Sequence, residues 1–408
     1  MSEVVSIPQL RFPEFRDEWR VDKFVDLCKF QQGVQVDVEL QSTEPKNNFL
    51  RFLRIENYTQ KSNDFRYIPK ELSSNKSITE NEIAIVRYGA TAGYIGRGLK
   101  GVLANNLFKL VLNKDTLDTD YLFHLLRSYK TFCFFQSEMS GGAMPALSFG
   151  IVGALKLPYS SISEQQKIAA FLTAVDNKIE QLSKKQALLS EYKKGLMQQI
   201  FSQAIRFKAD DGSDFPDWKE KKLENVLKRT STGLNPRQNF KLGYGENYYV
   251  TIKNISNGKL DFSKCERIDE NAMTMIANRS DLSKGDLIMS SIGNVGESYL
   301  LDKEPENWNI NESVFMLRAS ELMLPQFLYF IITNEQSKWY LESNSTGSSF
   351  KSIKLGELKL LPLGLPSLEE QTKIANFLSS IDTKIEQVGK QLDESKQFKK
   401  ALLQQMFV

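Results

Sequence analysis

Two stretches of the chain carry a seven-residue apolar period. In the first, Ile168, Val175, Leu182, Leu189 and Leu196 fall on one row, with Leu172, Ile179 and Ile200 on the adjoining row. In the second, the rows are Ile374, Ile381, Val388 and Leu402, then Leu378, Ile385, Leu392 and Met406. Two apolar rows at this period form a coiled-coil seam, because they keep facing a partner helix. Each pattern starts just past a proline-containing stretch, at Ser163-Glu164 and at Ser367 with Glu369-Glu370. A capping serine and first-turn carboxylates suit the free N–H groups of a helix start. Thirty-eight residues at 1.5 Å each span roughly 57 Å. A helix this long either packs along its own globular domain or pairs with its counterpart. Length and the matched copy favour pairing, and an antiparallel pair would put two globular domains at opposite ends.

The remaining segments alternate short strand patterns with turns. FLRIENY, EIAIVRYG and LFKLVLN precede the first helix; YYVTIKNI, DLIMSSIG and SVFMLRA precede the second. Each set adds one helix-like stretch, near Tyr121–Gln136 and Pro325–Leu341. The predicted fold class is therefore α+β.

The two patterns are copies of each other. EQQKIAAFLTAVDNKIEQLSKKQALLSEYKKGLMQQIF starts at Glu164, and EQTKIANFLSSIDTKIEQVGKQLDESKQFKKALLQQMF starts at Glu370. The offset is a constant 206 residues without a gap, and 19 of 38 positions are identical. Weaker echoes precede them. Arg11-Phe12, Trp19 and Phe24 recur as Arg206-Phe207, Trp218 and Leu223; Arg54-Ile55-Glu56-Asn57 recurs as Thr251-Ile252-Lys253-Asn254; Leu157-Pro158 recurs as Leu361-Pro362. Ile83-Ala84-Ile85 with Gly89 and Gly93 recurs as Leu287-Ile288-Met289 with Gly293 and Gly296. The predicted organisation is a globular domain over 1–162, a helix over 163–203, a second globular domain over 204–366 and a second helix over 367–408. Divergent globules on matched helices suggest variable recognition on a common frame.

Composition narrows the chemistry. Of 408 residues 41% are hydrophobic and 25% charged, enough to build packed cores. The net charge is only +3, with 26 basic and 22 acidic side chains in residues 1–204, then 27 and 28 in residues 205–408. Any phosphate-binding surface must arise from local clustering. The single histidine, His124, sits in the apolar run TDYLFHLLRSY and reads as a packed core imidazole rather than a catalytic base. Catalytic triads and HExxH zinc sites therefore drop out. Cys28, Cys133 and Cys265 are widely spaced and odd in number, and read as buried thiols of a reducing cytoplasm, with no metal site. No phosphate-binding GxxxxGK[ST] loop occurs. Pro216-Asp217 with Glu220-Lys221-Lys222 offers a nuclease-like set, but the segment occupies the slot of Trp19 in the first copy and is better explained structurally. No apolar run is long enough for a membrane span, and the polar start is no signal peptide. No catalytic residue is assigned.

Two diverged domains, each opened by RF…W and closed by LP…EQxKIAxFL…D.KIEQ…QQ.F, resemble the specificity subunit of type I restriction–modification systems, over essentially the whole chain. The resemblance implies that each globular domain is a target recognition domain reading one half of a bipartite, asymmetric sequence in double-stranded DNA, with the paired helices setting the half-site spacing. It implies partners: modification subunits, two of them, that bind S-adenosylmethionine and methylate adenine, and restriction subunits using ATP and Mg. This chain itself would bind no cofactor. In agreement, it has no NPPY-type motif; the nearest match, Asn235-Pro236-Arg237-Gln238, lacks the aromatic. An orphan DNA-binding regulator without enzyme partners is the alternative.

Base readers are polar side chains matched to base edges, such as Arg for guanine and Asn or Gln for adenine. Candidates are Gln31, Gln32, Asn47, Asn48, Arg87, Tyr88 and Asn105 in the first domain, and Arg237, Gln238, Asn239, Asn294, Asn311, Ser348 and Lys351 in the second. The glycines of Gly89–Gly93, Ser140–Ala143, Gly293–Gly296 and Ser345–Ser349 either close turns or let backbone approach phosphate, flanked by Arg87, Tyr88, Arg97 and Lys351. Candidate helix-pairing positions are Ile168, Val175, Ile179, Leu182, Leu189, Ile374, Ile381, Ile385, Val388 and Leu392.

Overall fold

The computed structural model describes residues 8–73, 76–139, 145–347 and 350–407. The chain divides into two compact units, one of Met1–Ser183 with Lys390–Val408 and one of Lys184–Gly389. Two long helices, Ile162–Phe201 and Leu368–Met406, are shared between them, so each unit holds the start of one helix and the end of the other.

In the first unit, a four-stranded antiparallel sheet runs in the order Cys28–Gln32, Leu107–Leu112, Ala84–Val86, Ile95–Gly96. A second sheet orders Arg66–Pro69, Phe49–Leu53, Gly101–Leu103 and Ser77–Ile78, with its central pair parallel. Arg20–Lys23 pairs with Lys156–Tyr159, just before the first long helix. The core gathers Trp19, Phe24, Phe108, Tyr121 and Phe135 around Ile168 and Leu172 of one long helix and Leu402 and Met406 of the other. The Tyr121 ring meets Phe407 edge-on at 5.5 Å.

The second unit repeats the plan. Its main sheet orders Leu227–Thr232, Val314–Ala319, Leu287–Ser290 and Ser298–Leu300, and its second sheet sets Asn247–Val250 between Glu266–Ile268 and Trp308–Ile310, the latter pair parallel. Lys219–Lys222 pairs with Pro362–Leu365. Here Met197, Ile200, Ile374 and Leu378 join Leu223, Leu287, Phe327 and Phe330 in the core. A helix at Glu270–Ser280 follows its second sheet, where the first unit has only the short turn Lys70–Ser73.

Three expectations are corrected. Each helix-like stretch is two helices, Thr119–Leu126 with Tyr129–Met139 and Pro325–Thr333 with Glu335–Ser343. The break is a side-chain cap: Ser128 Oγ accepts from the Thr131 N–H and Asn334 Oδ1 from the Ser337 N–H. FLRIENY is strand only to Leu53, then turns helical over Ile55–Thr59. The buried Asn57 causes this, accepting from the Arg54 N–H at 2.8 Å and donating to the Ser62 and Asp64 carbonyls; Asn254 does the same for Thr251 and Asp261. Cys133 is exposed, on the solvent side of a helix whose Thr131 and Phe135 face inward, and only Cys28 is fully buried.

Within each unit the long helices run antiparallel. Lys399 Nζ meets Asp176 at 2.5 Å in the first unit, and Lys193 Nζ meets Asp382 at 2.6 Å in the second. These are the same two repeat positions, the lysine of one copy facing the aspartate of the other. Ile168, Leu182, Ile374, Ile381, Val388 and Leu392 are buried, while Val175, Ile179, Leu189 and Ile385 are half-buried.

Candidate nucleic-acid interface

The repeated Glu-Gln pair has a structural task in both units. Arg11 donates from Nε and Nη2 to Glu164 at 2.7 and 2.8 Å, and Arg206 donates likewise to Glu370 at 3.1 and 2.8 Å. Gln165 accepts from the Asp118 N–H and donates to the Thr116 and Ser160 carbonyls; Gln371 accepts from the Leu324 N–H and donates to the Leu322 and Pro366 carbonyls. All four acidic and amide side chains are fully buried. Trp218 Nε1 adds a third bond to Glu370 at 3.0 Å, whereas Trp19 Nε1 is buried without a partner. These sockets clamp each helix start to the helix hairpin beside it, and Pro216-Asp217 belongs to this clamp.

The candidate base readers of the first unit gather mainly where three strands of the main sheet end. Gln32, closing its strand, donates to the Asn105 carbonyl at 2.8 Å, and Asn105 Nδ2 donates to Gln35 Oε1 at 3.0 Å. The Arg87 N–H bonds the Asn106 carbonyl, and its guanidinium lies 4.9 Å from the Tyr88 ring centre and 4.6 Å from that of Phe149. Gln31 precedes Gln32 and so points to the opposite face of the strand. Asn47 and Asn48 lie apart, in the turn entering Phe49–Leu53, and Asn48 takes the left-handed φ of 63° that the turn needs.

The second unit uses the same strand ends with other residues. Asn311 Oδ1 accepts from the Ser313 N–H, and its carbonyl accepts from Gly233. Ser291 stands where the first unit has Arg87, and its hydroxyl donates to the Ser313 carbonyl at 2.7 Å. Asn294 is exposed in the neighbouring turn, and the Lys351 carbonyl accepts from Gly293 while its ammonium lies 3.9 Å from Glu342. Arg237 and Gln238 are exposed on a separate turn, where Asn239 donates to the Asn235 carbonyl. Ser348, with the Ser140–Ala143 loop, lies outside the described residues.

The Gly89–Gly93 and Gly293–Gly296 loops are turns whose glycine N–H groups are spent within the chain: those of Gly89, Gly93, Gly293 and Gly296 all donate to carbonyls. Arg97 is paired with Asp120. Two glycines not singled out from the sequence matter more. A Cβ on Gly33 would stand 2.2 Å from the carbonyl oxygens of Leu103 and Ala104, and one on Gly233 only 1.7 Å from that of Ile310. Each ends a polar strand, Gln31-Gln32-Gly33 and Ser231-Thr232-Gly233, where the backbone crosses to the second sheet. That shared position was the available signal.

His124 is buried, with Nε2 3.1 Å from Thr173 Oγ1, and burial pushes its pKa down to about 4. It is a neutral core imidazole at physiological pH. Among the described residues no three His, Cys, Asp or Glu side chains converge to hold a metal, and no helix is long and apolar enough to cross a membrane.

Comparison with known proteins gives this architecture a family. The family model for the type I restriction modification DNA specificity domain matches residues 16–190 and 216–394. The type I restriction enzyme MjaVIII specificity subunit of Methanocaldococcus jannaschii is 26% identical over 416 residues, 97% of this chain and 92% of that protein. The EcoBI specificity subunit of Escherichia coli is 21% identical over 317 residues, 72% of this chain and 65% of that one. In fold, the type I S subunit from M. genitalium superposes with a TM-score of 0.62 at 16% identity, covering 99% of both chains. With two matched domains accounting for most of its length, the chain belongs to the family of type I restriction–modification specificity subunits.

Proposed function

We propose that this chain is the DNA-reading subunit of a type I complex, each globular unit recognising one half of a bipartite, asymmetric target. The observation that carries the reading is the pair of family domains carrying different side chains at the same strand ends: Gln32, Arg87 and Asn105 in one, Thr232 and Asn311 in the other, where a buried Ser291 replaces Arg87. Equivalent scaffolds with unlike edges suit a target whose halves differ. In this reading 1–162 and 204–366 are the target recognition domains. The segments 163–203 and 367–408 pair as an antiparallel coiled coil, set the half-site spacing and dock two modification subunits. Those subunits carry S-adenosylmethionine and methylate adenine; restriction subunits bring ATP and Mg; the chain itself does no chemistry and works in the cytoplasm. The orphan-regulator alternative has no observation in its favour, since the relatives are named as restriction enzyme subunits.

The test is an exchange of residues 205–365 for the equivalent segment of a related subunit, in the complex with its modification subunit, with methylated adenines mapped by sequencing. One half of the methylated motif changes and the other stays. A change in both halves, or in neither, refutes the division of labour.

A further inference from the structure

We propose that Arg87 is a guanine-reading residue, setting one base of the half-site recognised by the first unit. The proposal rests on the DNA-reading function above and names one determinant of it.

Four arginines of the same unit, Arg11, Arg54, Arg97 and Arg127, each face a carboxylate. Arg87 faces none. Its guanidinium lies against two aromatic rings, Tyr88 at 4.9 Å and Phe149 at 4.6 Å from the ring centres, contacts that favour a cation and restrict the side chain. Phe149 is itself held by Phe30 and Phe108, at 5.8 and 5.2 Å between ring centres. The backbone is pinned as well: the Arg87 N–H donates to the Asn106 carbonyl, and the Arg87 carbonyl accepts from Leu147. Nε is buried without a partner, and among the described residues neither Nη group has a hydrogen-bond acceptor, which leaves that edge unspent. A planar fork packed against aromatic rings, with its outer edge unspent, is the donor pair that matches O6 and N7 of guanine in the major groove. Holding the side chain before DNA arrives also lowers the ordering cost of binding.

The second unit shows what the position looks like without this function. Ser291 stands there, its hydroxyl spent on the Ser313 carbonyl, and Ile292 follows it where Tyr88 follows Arg87. The determinant is therefore confined to one half-site.

The experiment uses the complex of full-length chain and modification subunit, selecting bound duplexes from a library randomised over both half-sites. Wild type, Arg87→Ala and Arg87→Lys are compared. Wild type should return a bipartite motif with a guanine in one half. Arg87→Ala should lose preference at that single position, by roughly 5- to 150-fold, the range for a good bidentate pair. Arg87→Lys, which keeps the charge without the fork, should also lose most of it, and the other half should be unchanged in both variants. Three results overturn the proposal: an Arg87→Lys motif identical to wild type; a uniform loss across sequences with a shallower salt dependence, the mark of a phosphate contact; or a lowered melting temperature with unchanged base preference. If wild type itself returned no bipartite motif, the function proposed above would fall instead.

Discussion

The clamp at the start of the second long helix makes a quantitative prediction. Glu370 is fully buried and accepts three hydrogen bonds, two from Arg206 and one from Trp218. Bonds to a charged partner contribute about 1.5–3 kcal/mol each, and removing one member of a buried pair costs about 3–5 kcal/mol. Arg206 keeps 24% side-chain exposure, so water can rehydrate part of the orphaned guanidinium. The low end, about 3 kcal/mol, is therefore expected for Glu370→Ala. Arg206→Met should cost at least as much, because the fully buried carboxylate it leaves cannot reach water. Replacing both with methionine removes charge and counter-charge together. The Trp218 N–H then stays unsatisfied, at about 1 kcal/mol, and the Phe215 and Pro216 carbonyls lose their Arg206 donor just as they do in Arg206→Met, so the double variant should be more stable than Arg206→Met. The assay is urea unfolding followed by tryptophan fluorescence, which reports mainly the second unit, since Trp19 is the one tryptophan outside it. Single variants costing under 1 kcal/mol, or costs that simply add in the double variant, would refute the clamp.

Two further outcomes follow from the charged and titrating groups in the cores. Lys193→Asp sets two carboxylates face to face in the second unit and should destabilise it by about 1–2 kcal/mol; Asp382 is 40% exposed, which keeps the figure small, and adding Asp382→Lys should recover about half. An unfolding series in which the swap is worse than the single variant would count against a specific pair. His124 has a folded pKa near 4 against about 6.5 when unfolded, so between these values only the unfolded chain takes up the proton. Its contribution is full above pH 6.5 and falls by about 3 kcal/mol as the pH drops to 4. His124→Gln should flatten the stability curve in that window, and curves for the two proteins that stay parallel from pH 7 to pH 4.5 would contradict the assignment.

The linear sequence determined the tandem plan and the two long helices. The repeat at an offset of 206, the seven-residue rows and the Glu-Gln starts are covalent facts, and a helix follows from local periodicity. It also marked His124 as a core residue, because one polar group inside an apolar run must be buried with its neighbours. Tertiary structure decided what those marks do. Glu370 reads as a first-turn carboxylate until Arg206 and Trp218, 164 and 152 residues away, are seen to meet it. The same holds for the Asp176–Lys399 and Lys193–Asp382 pairs, which join one repeat to the other. The candidate base readers divide in the same way. Arg87, Tyr88, Gln32 and Asn105 come from three strands, and nothing local distinguishes them from Asn48, which serves a turn. Gly33 and Gly233 are required only because another backbone passes within van der Waals distance. Periodicity is a property of neighbours along the chain, whereas a binding edge is made of neighbours in space, and pairing strands far apart in sequence is what creates it.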